Sequence, residues 1–210
     1  MGVIKQGILG GFKGKVGSVI GTSWKGKAVM KSMPLSVANP RTAGQVLQRN
    51  KFKTIVELAS GILASIVKPL WDRFASGMSG YNAFVSANCD AVLPNSSLDY
   101  NKLVIAKGKM LAPVNVTRVL SGTTCTFGVT HPVGDRFALP TDNIFVLAYS
   151  DADSKVIFAG QAVGQRGSSA GASATFTVPV GTVDTDIEIG SVAYLRADGS
   201  EVSNSKTVIF

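Results

Sequence analysis

Four constellations in this 210-residue sequence have residue types that could do chemistry, and each lacks a part that the chemistry needs. Gly21-Thr22-Ser23-Trp24-Lys25-Gly26-Lys27 fits seven positions of a phosphate-cradling loop. Ala28, however, stands where a hydroxyl should hold magnesium, and Val29 to Pro34 reads as strand where a helix must follow. Asp151, Asp153 and Lys155 resemble the start of a calcium loop, but a lysine occupies a ligand position and no glycine follows. Asp184, Asp186 and Glu188 alternate, so a strand would gather three carboxylates on one face. An acidic strand edge that discourages aggregation explains them better than a cation site. Cys125 and His131 lie about 20 Å apart along an extended chain. That is too far for a nucleophile and its base, so both are read as structural. No acid–base pair, metal cluster or cofactor motif is expected, and the chain is read as non-enzymatic. With two cysteines and one histidine it is neither a disulfide scaffold nor a zinc site.

What remains is charge. Residues 1–56 carry ten lysines and arginines and no acid, whereas the other 154 residues carry eleven basic and thirteen acidic side chains, a balance of −2 within a total of +8. A cationic first quarter on a balanced body suggests a negative partner: nucleic acid, an acidic protein surface or a lipid face. The candidate contact residues are Lys13, Lys15, Trp24, Lys25, Lys27, Lys31, Arg41 and Arg49. The longest uncharged apolar stretch, Leu58 to Val67, is about half of what a bilayer span needs, so no membrane partner is expected. Glycines and Lys13 break up any signal-peptide core, and Gln6 sits where a myristoylation signal wants Ser or Thr.

The elements that must position these residues follow from periodicity. Alternation from Val16 through Trp24, a turn at Lys25-Gly26 and a second run to Met33 predict a β-hairpin with one face bared by glycines, ended by Pro34. Asn39 and Pro40 read as N-cap and first residue of a helix whose apolar stripe is Phe52, Ile55, Ala59, Ile62 and Ile66. Lys68-Pro69 interrupts it, and a second helix runs from Leu70 to Val85, with Gly77 and Gly80 marking a kink. Strands are expected at 103–106, 114–120, 124–130, 144–149, 155–163, 174–178, 187–195 and 207–210. The fold class is therefore α+β: a basic Gly-rich hairpin arm (1–36), a two-helix segment (37–95) and an antiparallel β-sandwich of immunoglobulin or fibronectin-III type (96–210).

The run Gly11-Phe12-Lys13-Gly14-Lys15-Val16-Gly17-Ser18-Val19-Ile20-Gly21 with Trp24-Lys25-Gly26 resembles the opening of an uncharacterised family of about this length. So do Asn39-Pro40-Arg41-Thr42 with Gln45, Arg49 and Phe52, and Tyr81-Asn82 with Val85 and Asn88. Its members occur in Bacteroidota and their phages. The resemblance implies no activity and no catalytic residues, and its phage occurrence implies a virion or assembly component. The expectation is a structural protein of a phage capsid, neck or tail, located in the virion or otherwise in the bacterial cytoplasm. It would join other subunits, as a homo- or hetero-oligomer, through the basic arm. The alternatives are a sequence-nonspecific nucleic-acid-binding protein using the same residues, and a surface-binding sandwich with the Gly164–Gly171 loop as its tip.

Overall fold

Turn chemistry shapes the first part of the chain. The computed structural model describes residues 2–4, 11–24, 26–36, 38–150, 155–167 and 170–210, and it divides into two units, 1–42 and 43–210. In the first unit β1 (Gly2–Ile4), β2 (Gly14–Val16), β3 (Val19–Trp24) and β4 (Lys27–Ser32) form an antiparallel sheet in the order β1-β4-β3-β2. Gly17 at φ +59° and Gly26 at φ +77° reverse the chain between β2 and β3 and between β3 and β4. The expected hairpin is thus the inner pair of four strands. The turn at Gly17-Ser18 also interrupts the alternation read through Val16: this side chain pairs with Val19, on the face opposite Ile20, Thr22 and Trp24.

The second unit opens with α1 (Ala43–Gly61), three residues beyond the expected start at Pro40. Its apolar stripe is buried from Ile55 onward, while residues 43–50 are all exposed and Phe52, expected in the stripe, is 54% exposed. The helix is longer than the core it packs on. The break falls at Gly61-Ile62, not at Lys68-Pro69: a wide π turn (Leu63–Val67) leads directly into α2 (Lys68–Trp71), at 71° to α1. Pro69 sits in the first turn of α2, where its missing N–H breaks no bond within that short helix. The expected second helix is divided in the same way. After a loop with Gly77 at φ +72°, Ser79 caps α3 (Gly80–Asn88) by accepting from the Asn82 N–H at 3.3 Å. No single helix is long and apolar enough to cross a membrane among the described residues.

Seven strands follow: β5 (Asn115–Ser121), β6 (Thr124–Thr130), β7 (Asn143–Ser150), β8 (Lys155–Gln165), β9 (Gly171–Thr177), β10 (Ile189–Leu195) and β11 (Lys206–Ile209). All pairings are antiparallel, in the order β11-β10-β7-β8-β9-β6-β5. The β8–β9 ladder consists of Val163 opposite Thr175, so the sheet bends there into a β-rich sandwich that nearly closes. Between its two layers Phe127, Phe176 and Val129 meet Ile144, Val146, Val192 and Tyr194. Arg118 of β5 closes the far side: it donates to the Ile187 carbonyl, pairs with Asp184 at 2.8 Å and lies 4.8 Å over the Phe210 ring.

The outer faces of β7 and β10 are covered as well. Phe145, Leu147, Tyr149, Ile189, Ala193 and Leu195 share one core with Ile55, Ile62, Ile66, Trp71 and Phe84 of the helical region. The helices and the sandwich, expected as separate segments at 37–95 and 96–210, therefore form a single unit of three layers.

The expected strand at Leu103–Ala106 is an irregular, largely buried segment, and most of its backbone bonds go to side chains instead of a ladder. Asn88 donates to the Val104 carbonyl at 2.9 Å and accepts from its N–H at 2.8 Å, while Trp71 Nε1 donates to Ile105 O at 2.8 Å. Ser205 Oγ accepts from Ile105 N at 3.0 Å and Thr207 Oγ1 donates to Leu103 O at 3.0 Å. Replacing the fully buried Asn88 with Ala strands both polar groups of Val104. We expect Asn88→Ala to cost about 2–4 kcal/mol, read as a clear fall in melting temperature. An unchanged melting point would show that water or a local shift replaces the amide.

Candidate interaction surface

Register sorts the basic residues of the N-terminal sheet. Lys15 is opposite Ile20 and Ile20 opposite Lys31; Thr22 is opposite Val29, and Trp24 opposite Lys27. Directly paired residues project to the same side, so Lys15, Lys27, Lys31 and Trp24 share one face. All four are exposed, Trp24 at 64%, around a concavity of about 410 Å³ lined by Thr22, Ser23, Trp24, Val29 and Lys31. The other face carries Val16, Val19, Gly21, Ala28 and Met30. There the bare glycine does what the sequence suggested, within the chain itself: a Cβ on Gly21 would lie 2.6 Å from two Phe12 ring carbons. The close approach is made by the protein's own Phe12.

The other candidates do not belong to this face. Lys13 is exposed just before β2, Arg41 is exposed before α1, and Arg49 is exposed on α1 beside Gln45, Gln48 and Phe52. Lys25 lies outside the described residues. The eight-residue set thus contains one four-residue cluster, and the sequence missed Thr22 and Val29, which line the concavity with Trp24 and Lys31. Their signal was the pairing across the Lys25-Gly26 turn, read in register.

The other motifs resolve separately. Asp184–Asp186 is a short 3₁₀ turn, not the expected strand; Asp184 binds Arg118 and Asp186 accepts from the Val183 N–H at 2.8 Å. The three carboxylates are therefore not a strand row, and no metal-holding group of three is found among the described residues. Asp151 and Asp153 lie outside the described residues. Gly21–Trp24 belong to β3 and Lys27 opens β4, so no helix follows the phosphate-loop-like run. The chain belongs to a family of unknown function (DUF6266), matched over residues 11–208. No curated protein and no solved structure matches it. In this DUF6266 chain the matched region takes in β2, β3 and β4 together with the sandwich as far as residue 208, within β11.

Cys125 is fully buried, and burial pushes its thiol up to about 11, so it is held as a neutral core side chain. His131 anchors a polar cluster that spacing could not reveal, because its partners are 35 and 63 residues away. The Arg166 carbonyl, 2.7 Å from Nε2, can only accept, so Nε2 carries the proton and Nδ1 accepts from the Tyr194 hydroxyl at 2.7 Å. The Arg166 guanidinium lies 4.6 Å over the Tyr194 ring and 3.5 Å from Asp135. Asp135 also receives the Leu111 and Phe137 N–H groups at 3.0 and 3.1 Å. Asp142 accepts from Leu139 N at 2.8 Å with one oxygen, while its buried Oδ1 has no partner.

Two pH effects of opposite sign follow. Burial lowers the His131 pKa from 6.5, so the unfolded chain takes up the proton first, and His131's contribution to stability is full above 6.5 and lost as pH falls below it. Burial raises the Asp142 pKa from 3.8, so its contribution is full below 3.8 and lost as pH rises through the folded value. We expect the melting temperature to fall on acidification below about pH 6.5, and the fall to shrink in His131→Gln. A profile identical in both proteins would rule out this histidine as the source.

Proposed function

We propose that the protein is a non-enzymatic assembly subunit, a structural component of a phage capsid, neck or tail, which joins other protein subunits through its basic N-terminal quarter. The observation that carries this reading is the coincidence, within residues 16–52, of a purely cationic sequence with Val16, Trp24, Met33, Leu35, Val46, Leu47 and Phe52 left exposed. The start of α1 adds support. Its first turn has no acid to complement the helix dipole, and none of residues 43–50 is buried. A helix that extends past its own core gains most from a surface supplied by another subunit. The phage setting rests on the resemblance of the Gly11–Gly26 and Asn39–Phe52 runs.

The strand order supports a finer reading of the sandwich as immunoglobulin or fibronectin-III-like. The order places β5-β6-β9 in one layer and β8-β7-β10-β11 in the other, so the chain crosses between layers after β6, β8 and β9. Such a body leaves association to loops and appended segments.

Light scattering across a concentration series tests the assembly reading. The full chain is expected to scatter above the mass of one chain at high concentration. Leu35→Ser combined with Phe52→Ser is expected to weaken that association about tenfold or more, since each removes roughly 1–2 kcal/mol of apolar burial. A full chain that stays monomeric throughout would sink self-association, and mass spectrometry of purified particles would then decide whether a different subunit is the partner.

A further inference from the structure

We infer that the Lys15–Lys27–Lys31–Trp24 face of the N-terminal sheet binds single-stranded nucleic acid, which goes beyond the subunit-joining role proposed above. Pairing across β2, β3 and β4 fixes the cations in a triangle: Lys15 and Lys31 are two strands apart, about 10 Å, and Lys27 and Lys31 are four residues apart on β4, about 13 Å. Trp24 stands beside Lys27, about 5 Å away across the strands, with much of its indole exposed. Lysines supply point charges for phosphates, and an exposed indole supplies a stacking surface for a base. No acid occurs in residues 1–56 to neutralise the lysines locally.

The geometry separates single strands from other polyanions. In a duplex the bases are stacked on one another and offer no face to an indole, so a duplex could use the lysines but not Trp24. An acidic peptide likewise has nothing flat to stack. The concavity lined by Thr22, Trp24, Val29 and Lys31 suits an extended strand with one base turned onto the indole. Readout of sequence is not expected, because stacking is tolerant of base identity. Apart from Trp24 itself, the exposed large apolar side chains described on this sheet, Val16 and Met30, are on the opposite face. The two faces can therefore serve a strand and a protein surface independently.

Fluorescence anisotropy of labelled oligo(dT), with the matching duplex as second probe and the full chain as binder, tests the proposal. The single strand is expected to bind more tightly than the duplex and to quench Trp24 emission. Trp71, the other tryptophan, is buried and bonded to Ile105, so it should not respond. Three phosphate contacts give a log–log salt slope near −2 on single strands. Replacing Lys15, Lys27 and Lys31 together with Gln should flatten that slope, while Lys206→Gln, on the body, should leave it unchanged. Trp24→Ala should weaken binding about tenfold with the slope retained. Circular dichroism confirms that the variants fold, and all the substituted lysines are exposed. A duplex bound as tightly as the single strand, no quenching, or an unchanged slope in the triple variant would each overturn the assignment. Light scattering on the triple variant should be unaltered, so the assembly reading and this one fail separately.

Discussion

The body of the protein depends on one pair of strands, β7 and β10, being buried on both faces. Along β7, Ile144, Val146 and Ala148 point into the sandwich while Phe145, Leu147 and Tyr149 point at the helices. β10 repeats this arrangement, with Val192 and Tyr194 inward and Ile189, Ala193 and Leu195 outward. The two cores therefore share a single wall. Neither the helices nor the three-stranded layer β5-β6-β9 could bury its apolar side without it, so loosening this ladder exposes both at once. The same coupling explains why the helical region and the sandwich form one unit.

A wall that is apolar on both sides raises a problem of register. Ordinarily a one-residue slip moves hydrophobic side chains into water and is rejected for that reason. Here a slip would exchange one core for the other. Polar groups set into the wall supply the missing discrimination. Ser191 meets Thr207 at 2.8 Å, and Thr207 in turn donates to Leu103 O, on the helix side. Tyr194 carries its hydroxyl to His131 at the loop end of the sandwich, and its N–H donates to Ser203 Oγ at 2.8 Å. A slipped register would leave these groups buried without partners, which costs more than the apolar mismatch. The cluster of His131, Arg166, Asp135 and Asp142 is thus placed where the strand ends must be held, and its unpartnered Asp142 oxygen is a local cost carried by that fixing.

These relations explain what could be read from the sequence. The strands from Val114 onward were legible because each is a short Val/Ile/Thr/Phe run bounded by turn residues, and Thr124–Thr130 falls on β6. Leu103–Ala106 has the same composition but lacks a partner strand, and Asn88, Trp71, Ser205 and Thr207 take its backbone bonds from far along the chain. Local pattern cannot register such distant partners. Phe52 continues a regular stripe with Ile55 and Ala59, yet the core ends before it; periodicity gives the direction of a side chain, not whether anything lies there. In the N-terminal sheet the basic residues were visible, but their division between faces was hidden by one turn at Gly17-Ser18, which shifts the parity of Val16 relative to Trp24.

The distribution of charge then follows from the distribution of edges. In the body, Arg118 and Phe210 bring the end strands β5 and β11 together, and ion pairs such as Arg118–Asp184 and Arg166–Asp135 set positive charge against negative. Such a surface has a weak net field with which to recruit another molecule. The N-terminal sheet is the reverse. β1 and β2 at its margins are three residues each, and its lysines have no acid within the first 56 residues. Short edges limit indiscriminate strand addition, and the field of such lysines reaches about 10 Å at moderate ionic strength. On the proposed reading, recognition is concentrated where burial is least, in the N-terminal quarter, while the doubly buried β7–β10 wall holds the body together.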